Sequence, residues 1–278
     1  MSYEGYEKIE IAVTGGVAHA TVSAPPINVM TLALFGELRR LVEELEADPD
    51  ARVLVLRSAD PDFFIAHFDV EAILQFSLEG EAERGARNVF HEMCECFRTT
   101  QTVTIAQIEG RVGGGGCELV QAFDMRFGVR GKTVLNQMEV PLGILPGGGG
   151  TQRLPRLVGR GRALEIILGA EDLDAERAES WGLLNRIFEA GEIGPFVDRL
   201  AARIACHPPE AVQLAKQAVN AAETPLAEGL VEEDYLFQCL LRTDAAQQRM
   251  RRFMEMGGQT REGELAVATL AGRLAEED

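Results

Sequence analysis

The chain has 278 residues, 46% of them hydrophobic, and a formal net charge of −17 at pH 7. This length and composition allow one large hydrophobic core, or a core domain with a helical appendage. The negative charge disfavours nucleic-acid binding and a membrane-facing role, because both need clustered positive charge. We therefore expect an acidic globular protein with neither nucleic acid nor membrane among its partners.

The cysteines and histidines do not indicate a metal site. The chain has five cysteines and four histidines, and Cys94 and Cys96 lack the two-residue gap and the second pair of a zinc site. An odd number of scattered cysteines favours reduced thiols. The first residues contain no basic or apolar targeting segment, and no apolar run approaches membrane-spanning length. These features predict a cytoplasmic protein without a metal.

The first elements of the chain are predicted to be a hairpin, a helix and a buried strand. Residues 8–22 alternate in polarity around Gly15-Gly16, which predicts a β-hairpin. Thr31 can cap a helix that stops near Asp48-Pro49. Its apolar positions recur at helical spacing: Leu34, Leu38, Leu41, Val42 and Leu45. The apolar run at 53–56 is typical of a strand covered on both faces.

The next stretch combines an aromatic loop with two predicted helices. Residues 59–69 contain three phenylalanines, which is too aromatic for a solvent-exposed loop, so we expect this loop to cover something. Residues 70–81 predict a short helix that runs into a lid, and residues 82–98 predict an amphipathic helix.

The most informative stretch spans residues 104–122 and predicts a buried strand, a glycine turn and the start of a helix. Four glycines occupy positions 113–116 and a helical pattern follows. Free N–H groups at the positive end of a helix stabilise negative charge, either on a diphosphate or on the oxyanion of an acyl group. Glu118 would repel a diphosphate, and the glycine spacing does not fit a dinucleotide fingerprint. The alternative is that the glycines only allow a tight connection.

The remainder of the chain predicts more α/β structure and then helices. Strands are expected at 124–129 and 133–135, a second glycine-rich loop at 136–150, helices over most of 151–180 and a strand at 186–188. The later segments are predicted to be helical: 194–205, 208–222, 225–241, 243–255 and 262–275. This order indicates an α/β fold with a separate helical layer.

Two carboxylates lie in apolar sequence bounded by glycine, and they suggest acid–base chemistry. Glu118 follows the first glycine run, and Glu139 precedes the second. Burial raises the pKa of a carboxyl group, and the charge of one carboxylate keeps a neighbour protonated. Such a pair could move protons on carbon atoms next to a carbonyl group. The alternative is that each glutamate only bonds backbone groups of its loop.

The chain resembles the crotonase superfamily, the enoyl-CoA hydratase/isomerase fold, over nearly its whole length. The resemblance rests on Pro25-Pro26-Ile27-Asn28, the 64–70 loop, the 113–119 glycine run, and Glu139 with the segment 142–154. It implies an α/β fold in which β-β-α turns form a superhelix. The core domain would span residues 1–200, and residues 201–278 would form a C-terminal helical trimerisation region.

The resemblance also implies an active site for an acyl-CoA thioester. The N–H groups of Ala66 and Gly115 would form an oxyanion hole for the thioester oxygen. Glu118 would activate water at the β-carbon, and Glu139 would exchange a proton with the α-carbon. Substrate-binding positions would be Ile27, His67, Phe68, Asp69, Gly114, Pro146 and Gly147. No cofactor is expected beyond the CoA of the substrate, and the assembly would be a homotrimer or homohexamer.

Retention of both glutamates favours an enoyl-CoA hydratase, which adds water across the double bond of a 2-enoyl-CoA. One alternative is an isomerase that shifts a double bond through Glu139 alone, and another is a non-catalytic acyl-CoA-binding homologue. The second alternative is motivated by His67, which replaces a glycine of the family loop. His67 could point away and bond backbone, or it could reach the acyl pocket or the CoA diphosphate.

Two further departures concern arginines. Arg111 is either a surface residue or the ion-pair partner of a nearby acid. Many family members have a lysine near the CoA phosphates in the C-terminal region, for which Arg249, Arg251 or Arg252 could substitute.

Overall fold

The computed structural model describes residues 3–76, 85 and 87–275 of the chain. The strands are β1 Ile9–Thr14, β2 Val17–Val22, β3 Val53–Ser58, β4 Phe63–Ile65, β5 Val103–Ile108, β6 Arg111–Gly113, β7 Met125–Val129, β8 Val134–Asn136, β9 Leu173–Asp174 and β10 Arg186–Phe188. The helices are α1 Leu32–Ala47, α2 Val70–Ile73, α3 Val89–Thr99, α4 Gly114–Gln121, α5 Gly150–Val158, α6 Arg160–Gly169, α7 Ala175–Trp181, α8 Ile193–Ala205, α9 Pro209–Asn220, α10 Leu226–Leu241, α11 Asp244–Glu255, α12 Arg261–Leu265 and α13 Val267–Gly272.

The strands form two sheets. The larger sheet has the order β1-β2-β3-β5-β7-β10, and the smaller has the order β4-β6-β8-β9. All neighbours in the larger sheet are parallel except β1 and β2, which form an antiparallel hairpin. In the smaller sheet β4, β6 and β8 are parallel, and β9 is antiparallel to β8. Consecutive strands therefore alternate between the sheets along 103–113 and 125–136, which is how the two glycine-rich segments come to lie beside each other.

The predicted hairpin and first helix are confirmed. Gly15 and Gly16 have φ values of +59° and +82°, the left-handed pair that a two-residue hairpin turn requires. The Thr31 side chain accepts the N–H of Leu34 at 3.3 Å and so caps α1. The apolar stripe of α1 is buried at all five predicted positions. Strands β3 and β5 are also buried along their apolar runs, as covering on both faces requires.

The glycine run differs from the prediction of a strand, a turn and a helix. Gly113 ends β6, and the next three glycines already form the first turn of α4. A Cβ atom on Gly113 would lie 2.6 Å from the carbonyl oxygen of Ala66, and one on Gly116 would lie 2.6 Å from that of Ile65. The glycines are therefore needed because β4 and the loop after it pass directly over the start of the helix.

The described residues include only part of the lid and helices predicted at 70–98. Helix α2 begins at Val70, as predicted, and ends at Ile73. Helix α3 begins at Val89, later than predicted, where the Asn88 side chain accepts the N–H of His91 at 2.8 Å. The predicted lid and the early part of the second helix fall on 77–84 and 86, which lie outside the described residues.

The chain divides into two compact units, with the boundary between Arg199 and Leu200. The first unit contains both sheets and α1–α7, and the second contains α9–α13. The predicted helix at 262–275 is two short helices, α12 and α13. Within the described residues, no helix is both long and apolar enough to cross a membrane.

Candidate active site

Glu118 is held by the second glycine-rich loop. It lies on α4 and is only 4% exposed. Its Oε1 accepts the N–H groups of Gly148 at 2.7 Å and Gly150 at 2.8 Å. Both bonds go to the same oxygen, so the carboxyl group is fixed through Oε1 while Oε2 accepts no hydrogen bond from the described residues.

The pKa of Glu118 is raised to about 7, mainly by burial and also by the nearby charge of Glu139, whereas the two amides and Arg153 act in the opposite direction. A carboxyl group with such a pKa exchanges protons readily at neutral pH, which suits general acid–base catalysis. The structure thus combines the two interpretations of this glutamate, since it bonds loop backbone and also has a perturbed pKa.

Arg153 supports this site, although the sequence indicates it only as one residue of the 142–154 motif. Its Nη1 donates to the carbonyl oxygen of Gly148 at 3.0 Å, and its Nη2 donates to Glu95 at 2.7 Å. The guanidinium group therefore fixes Gly148, whose carbonyl oxygen accepts from Arg153 and whose N–H donates to Glu118. No sequence signal short of this contact could have separated Arg153 from the other arginines of the chain.

Glu139 lies immediately before a 3₁₀ turn at Val140–Leu142 and is 8% exposed. Burial raises its pKa, and the neighbouring His67 acts in the opposite direction. In the orientation that satisfies both groups, the Gln137 amide nitrogen lies 3.1 and 3.2 Å from the two carboxylate oxygens of Glu139. Gln137 also accepts from Gln121 at 3.2 Å. These two buried glutamines were missed by sequence reasoning, because their side chains meet only through the packing of α4 against β8.

The backbone nitrogen of Phe68 lies close to Gly115. Gly115 is the second residue of α4, so its N–H has no partner within the helix. A Cβ atom on Gly115 would lie 3.4 Å from the backbone nitrogen of Phe68. The described residues offer no acceptor to that Phe68 N–H. The N–H of Ala66, nominated by the resemblance, instead donates to the carbonyl oxygen of Asn28 at 3.3 Å.

The 66–69 loop has mainly structural contacts. The Asp69 side chain caps α2 by accepting the N–H groups of Glu71 and Ala72. His67 Nδ1 lies 2.8 Å from the carbonyl oxygen of Phe68, to which it donates. This backbone bond is the first of the two alternatives considered for His67, although the side chain also lies close enough to Glu139 to affect its pKa.

A cavity of about 320 Å³ connects these groups. Five of the residues predicted from the sequence line it together: Phe68, Gly115, Glu118, Glu139 and Gly147. Six others are not among its lining residues: Ile27, Ala66, His67, Asp69, Gly114 and Pro146. Two of the six contact residues that support the site. Gly114, at φ +44°, leaves room for Glu139 and His67, and Pro146 packs against Gly150.

The comparisons with known proteins agree on one family. A model of the enoyl-CoA hydratase/isomerase family matches residues 12–262. The chain belongs to this family.

Individual relatives match along most of their length. The short-chain-enoyl-CoA hydratase of Clostridium acetobutylicum is 31% identical over 244 residues, which are 87% of this chain and 92% of that protein. The crotonyl-CoA hydratase of Syntrophomonas wolfei is 30% identical over 252 residues, 90% of this chain and 96% of that protein. The crystal structure of an enoyl-CoA hydratase from Bacillus anthracis matches with a TM-score of 0.82 at 28% identity, covering 90% of this chain and 96% of that one.

These findings confirm the crotonase fold, including its parallel sheets and C-terminal helical region, and they identify an enzyme of the hydratase/isomerase type.

Arg111, where this family member departs from the usual motif, proves to be an ion-pair residue. Its Nη1 and Nη2 donate to the two carboxylate oxygens of Asp172, both at 2.6 Å.

The C-terminal arginines line a separate cavity of about 610 Å³ within the second unit. Arg249, Arg251 and Arg252 are joined there by Arg273. A contact between these side chains and the CoA phosphates stays a prediction. Among the described residues, no cluster of histidine, cysteine and acidic side chains could hold a metal ion.

Proposed function

We propose that this family member adds water across the double bond of a 2-enoyl-CoA thioester. The observation that carries the proposal is the pair of buried carboxyl groups, Glu118 and Glu139, on the wall of one cavity beside two N–H groups. The hydratase names of its relatives support the same reaction and an acyl-CoA substrate.

The oxyanion hole is proposed to consist of the N–H groups of Phe68 and Gly115. The Phe68 N–H replaces that of Ala66, which is engaged by Asn28. Backbone donors that are fixed before the reaction stabilise the charge that develops on a thioester oxygen, and one such donor contributes about 3 kcal/mol to transition-state stabilisation.

The two carboxyl groups divide the proton transfers. Glu118 takes a proton from water while the water oxygen bonds the β-carbon, and the electron pair of the double bond moves onto the thioester oxygen. Glu139 then donates its proton to the α-carbon, which gives the 3-hydroxyacyl thioester. The proton on Glu118 returns to Glu139 through solvent, and the cycle is complete.

The reaction needs one ionised and one protonated carboxyl group at the same pH. Burial raises the pKa of both groups, and the charge of Glu139 also raises that of Glu118, so the pair retains one proton closer to neutrality than two exposed carboxyls would. The amides on Glu118 and the charge of Arg153 oppose this rise, so that with a pKa of about 7 Glu118 is still partly ionised at neutral pH, as its proposed role as the base requires.

The test uses loss of the conjugated enoyl-thioester absorbance, with identification of the product. Wild type should convert crotonyl-CoA to 3-hydroxybutyryl-CoA, and Glu118→Gln or Glu139→Gln should each lose about a hundredfold or more in rate. Loss of absorbance that depends on Glu139 but not on Glu118, with a shifted double bond and no 3-hydroxyacyl product, would instead indicate an isomerase. Absence of turnover with every enoyl-CoA would refute the hydratase proposal and favour a binding-only homologue.

We also propose that the second unit mediates assembly into a homotrimer or homohexamer. Helix α10 exposes apolar side chains, among them Leu226 at 77% and Val231 at 72%, and exposed apolar clusters of this kind typically mark interfaces. Light scattering should give a mass three or six times that of the chain, and Val231→Glu should lower it. A monomeric wild type would overturn the proposal.

A further inference from the structure

The cavity beside Glu118 is lined on its apolar side by an unusual number of aromatic rings. Four of the thirteen phenylalanines of the chain line it, together with five aliphatic side chains. The polar side chains of the lining are the two catalytic candidates and Asn88. An apolar pocket with a few convergent polar groups is the usual form of a site for an organic ligand.

Three of the rings pack directly against one another. Phe90 lies 5.7 Å from Phe35 and 5.8 Å from Phe68 between ring centroids, and Phe35 lies 6.1 Å from Phe68. The interplanar angles are 34°, 62° and 77°. Phe76 extends the cluster, with its centroid 6.5 Å from that of Phe68. The four rings thus form one cluster in the cavity wall, and another aromatic ring contacts such rings favourably in an offset-stacked or edge-to-face arrangement.

Phe90 connects this cluster to the reacting atoms. A Cβ atom on Gly148 would lie 2.6 Å from Phe90 Cδ1 and Cε1, and one on Gly115 would lie 3.4 Å from Phe90 Cε2. Gly115 belongs to the proposed oxyanion hole, and Gly148 bonds Glu118. The Phe90 ring therefore covers the space next to Glu118, where a substituent on the β-carbon must lie if water is added there.

We propose that the acyl group accepted by this site carries an aromatic ring on its β-carbon, as in a 3-arylpropenoyl-CoA. This inference rests on the proposed hydratase function. The ring would pack against the cluster of Phe35, Phe68 and Phe90 from the cavity side. A cavity of about 150 Å³ suffices for benzene, so the 320 Å³ present here accommodates an arylpropenoyl group. A conjugated aryl group also has fewer rotatable bonds to immobilise than an alkyl chain of equal carbon number.

The first experiment measures binding without chemistry. Saturated 3-phenylpropanoyl-CoA and nonanoyl-CoA have equal numbers of acyl carbons and no double bond to hydrate. Titration calorimetry should give wild type a Kd about tenfold lower for the phenyl compound, the size expected from added ring–ring contacts. Equal or tighter binding of nonanoyl-CoA would overturn the inference, whatever the enzyme catalyses.

The second experiment measures turnover in the dehydration direction, which forms the strongly absorbing conjugated product. We expect kcat/KM for 3-hydroxy-3-phenylpropanoyl-CoA to exceed that for 3-hydroxynonanoyl-CoA by about tenfold. Preferred turnover of the alkyl compound would refute the aromatic specificity alone. No turnover of either compound or of crotonyl-CoA would refute the hydratase function, and the binding measurement would still decide the ligand class.

Substitutions locate the effect in the cluster. Phe90→Leu keeps an apolar side chain but removes the ring, so the ratio of kcat/KM for the aryl compound to that for the alkyl compound should fall to about twofold or less. Phe35→Leu, on a different helix, gives the same test if Phe90→Leu does not fold. The matched control is Phe196→Leu, because Phe196 belongs to a separate aromatic cluster with Phe127 and Phe188. An aryl preference that survives at both cavity positions, or falls equally in the control, would contradict the proposed role.

Discussion

Replacement of Glu118 by glutamine should inactivate the enzyme while stabilising its fold at neutral and higher pH. A pKa raised by burial means that the folded state binds the proton more tightly than the unfolded chain does. The ionised form is therefore destabilising in the folded protein. The glutamine side chain carries no charge, and it keeps an oxygen that can accept the N–H groups of Gly148 and Gly150. The substitution thus removes the cost of the buried charge and preserves the two hydrogen bonds.

The magnitude follows from the pKa. The shift from the ordinary value of 4.5 to about 7 corresponds to about 3 kcal/mol, because a tenfold change in proton affinity is about 1.4 kcal/mol. Since the folded-state pKa is the higher one, stability falls as pH rises from the unfolded to the folded value and is constant above it. The advantage of the variant should be about 1 kcal/mol or less near pH 5 and about 3 kcal/mol near pH 8.

The assay is urea unfolding of wild type and Glu118→Gln at both pH values, at one fixed protein concentration because assembly also stabilises the folded chain. Glu92→Gln, an exposed position on α3, serves as the matched control and should show no pH-dependent advantage. If Glu118→Gln has the same stability relative to wild type at both pH values, the argument that burial raises the pKa of Glu118 is refuted.

Two further predictions test the support around this carboxyl group. Arg153→Gln should lower kcat by about 10- to 100-fold, because the Gly148 carbonyl loses its donor. It should also move the acidic limb of the pH–rate profile to higher pH, because a charge that lowers the Glu118 pKa is lost. Arg156→Gln, on the exposed side of the same helix, should do neither, and equal profiles for the two variants would contradict the role of Arg153. Gly116→Ala should destabilise the protein by about 1–3 kcal/mol in thermal unfolding, because its Cβ would lie 2.6 Å from a backbone carbonyl oxygen. The control Gly161→Ala, with open space around it in α6, should stabilise the protein by about 0.5–1 kcal/mol. An unchanged melting temperature for Gly116→Ala would show that β4 can move away.

Much of the fold could be predicted because its signals are local. The hairpin depends on two glycines with positive φ, the first helix on the Thr31 cap and an apolar stripe, and strand β3 on a continuous apolar run. Each of these signals lies within one element and its neighbours. The glycine run was different, because whether it forms a turn or a helix depends on the backbone of Ile65 and Ala66, which lie far earlier in the chain.

The candidate site divides in the same way. Glu118 and Glu139 could be selected from sequence, because acidic residues in apolar, glycine-bounded segments are uncommon unless they are used. Which N–H group of the 66–69 loop is available to a substrate could not be predicted, because a backbone N–H has no sequence signature. Its availability depends on the path of the neighbouring chain: here the Ala66 N–H donates to the Asn28 carbonyl oxygen, and the Phe68 nitrogen lies close to Gly115.

The sequence by itself determined the family, the longer strands and helices and the two candidate carboxyl groups, since periodicity, caps and motifs are properties of contiguous residues. The short strands β4, β6 and β9 were not predicted, and β4 lies in the segment 59–69 that was expected to be a loop. Only the tertiary structure decided how the carboxyl groups are held, which N–H groups face the cavity and which rings line it. Those properties come from residues far apart in the chain: Arg153 reaches Gly148 and Glu95, and Phe90 covers Gly115 and Gly148. Contacts of this kind follow from packing, in which distant side chains and backbone atoms compete for the same space.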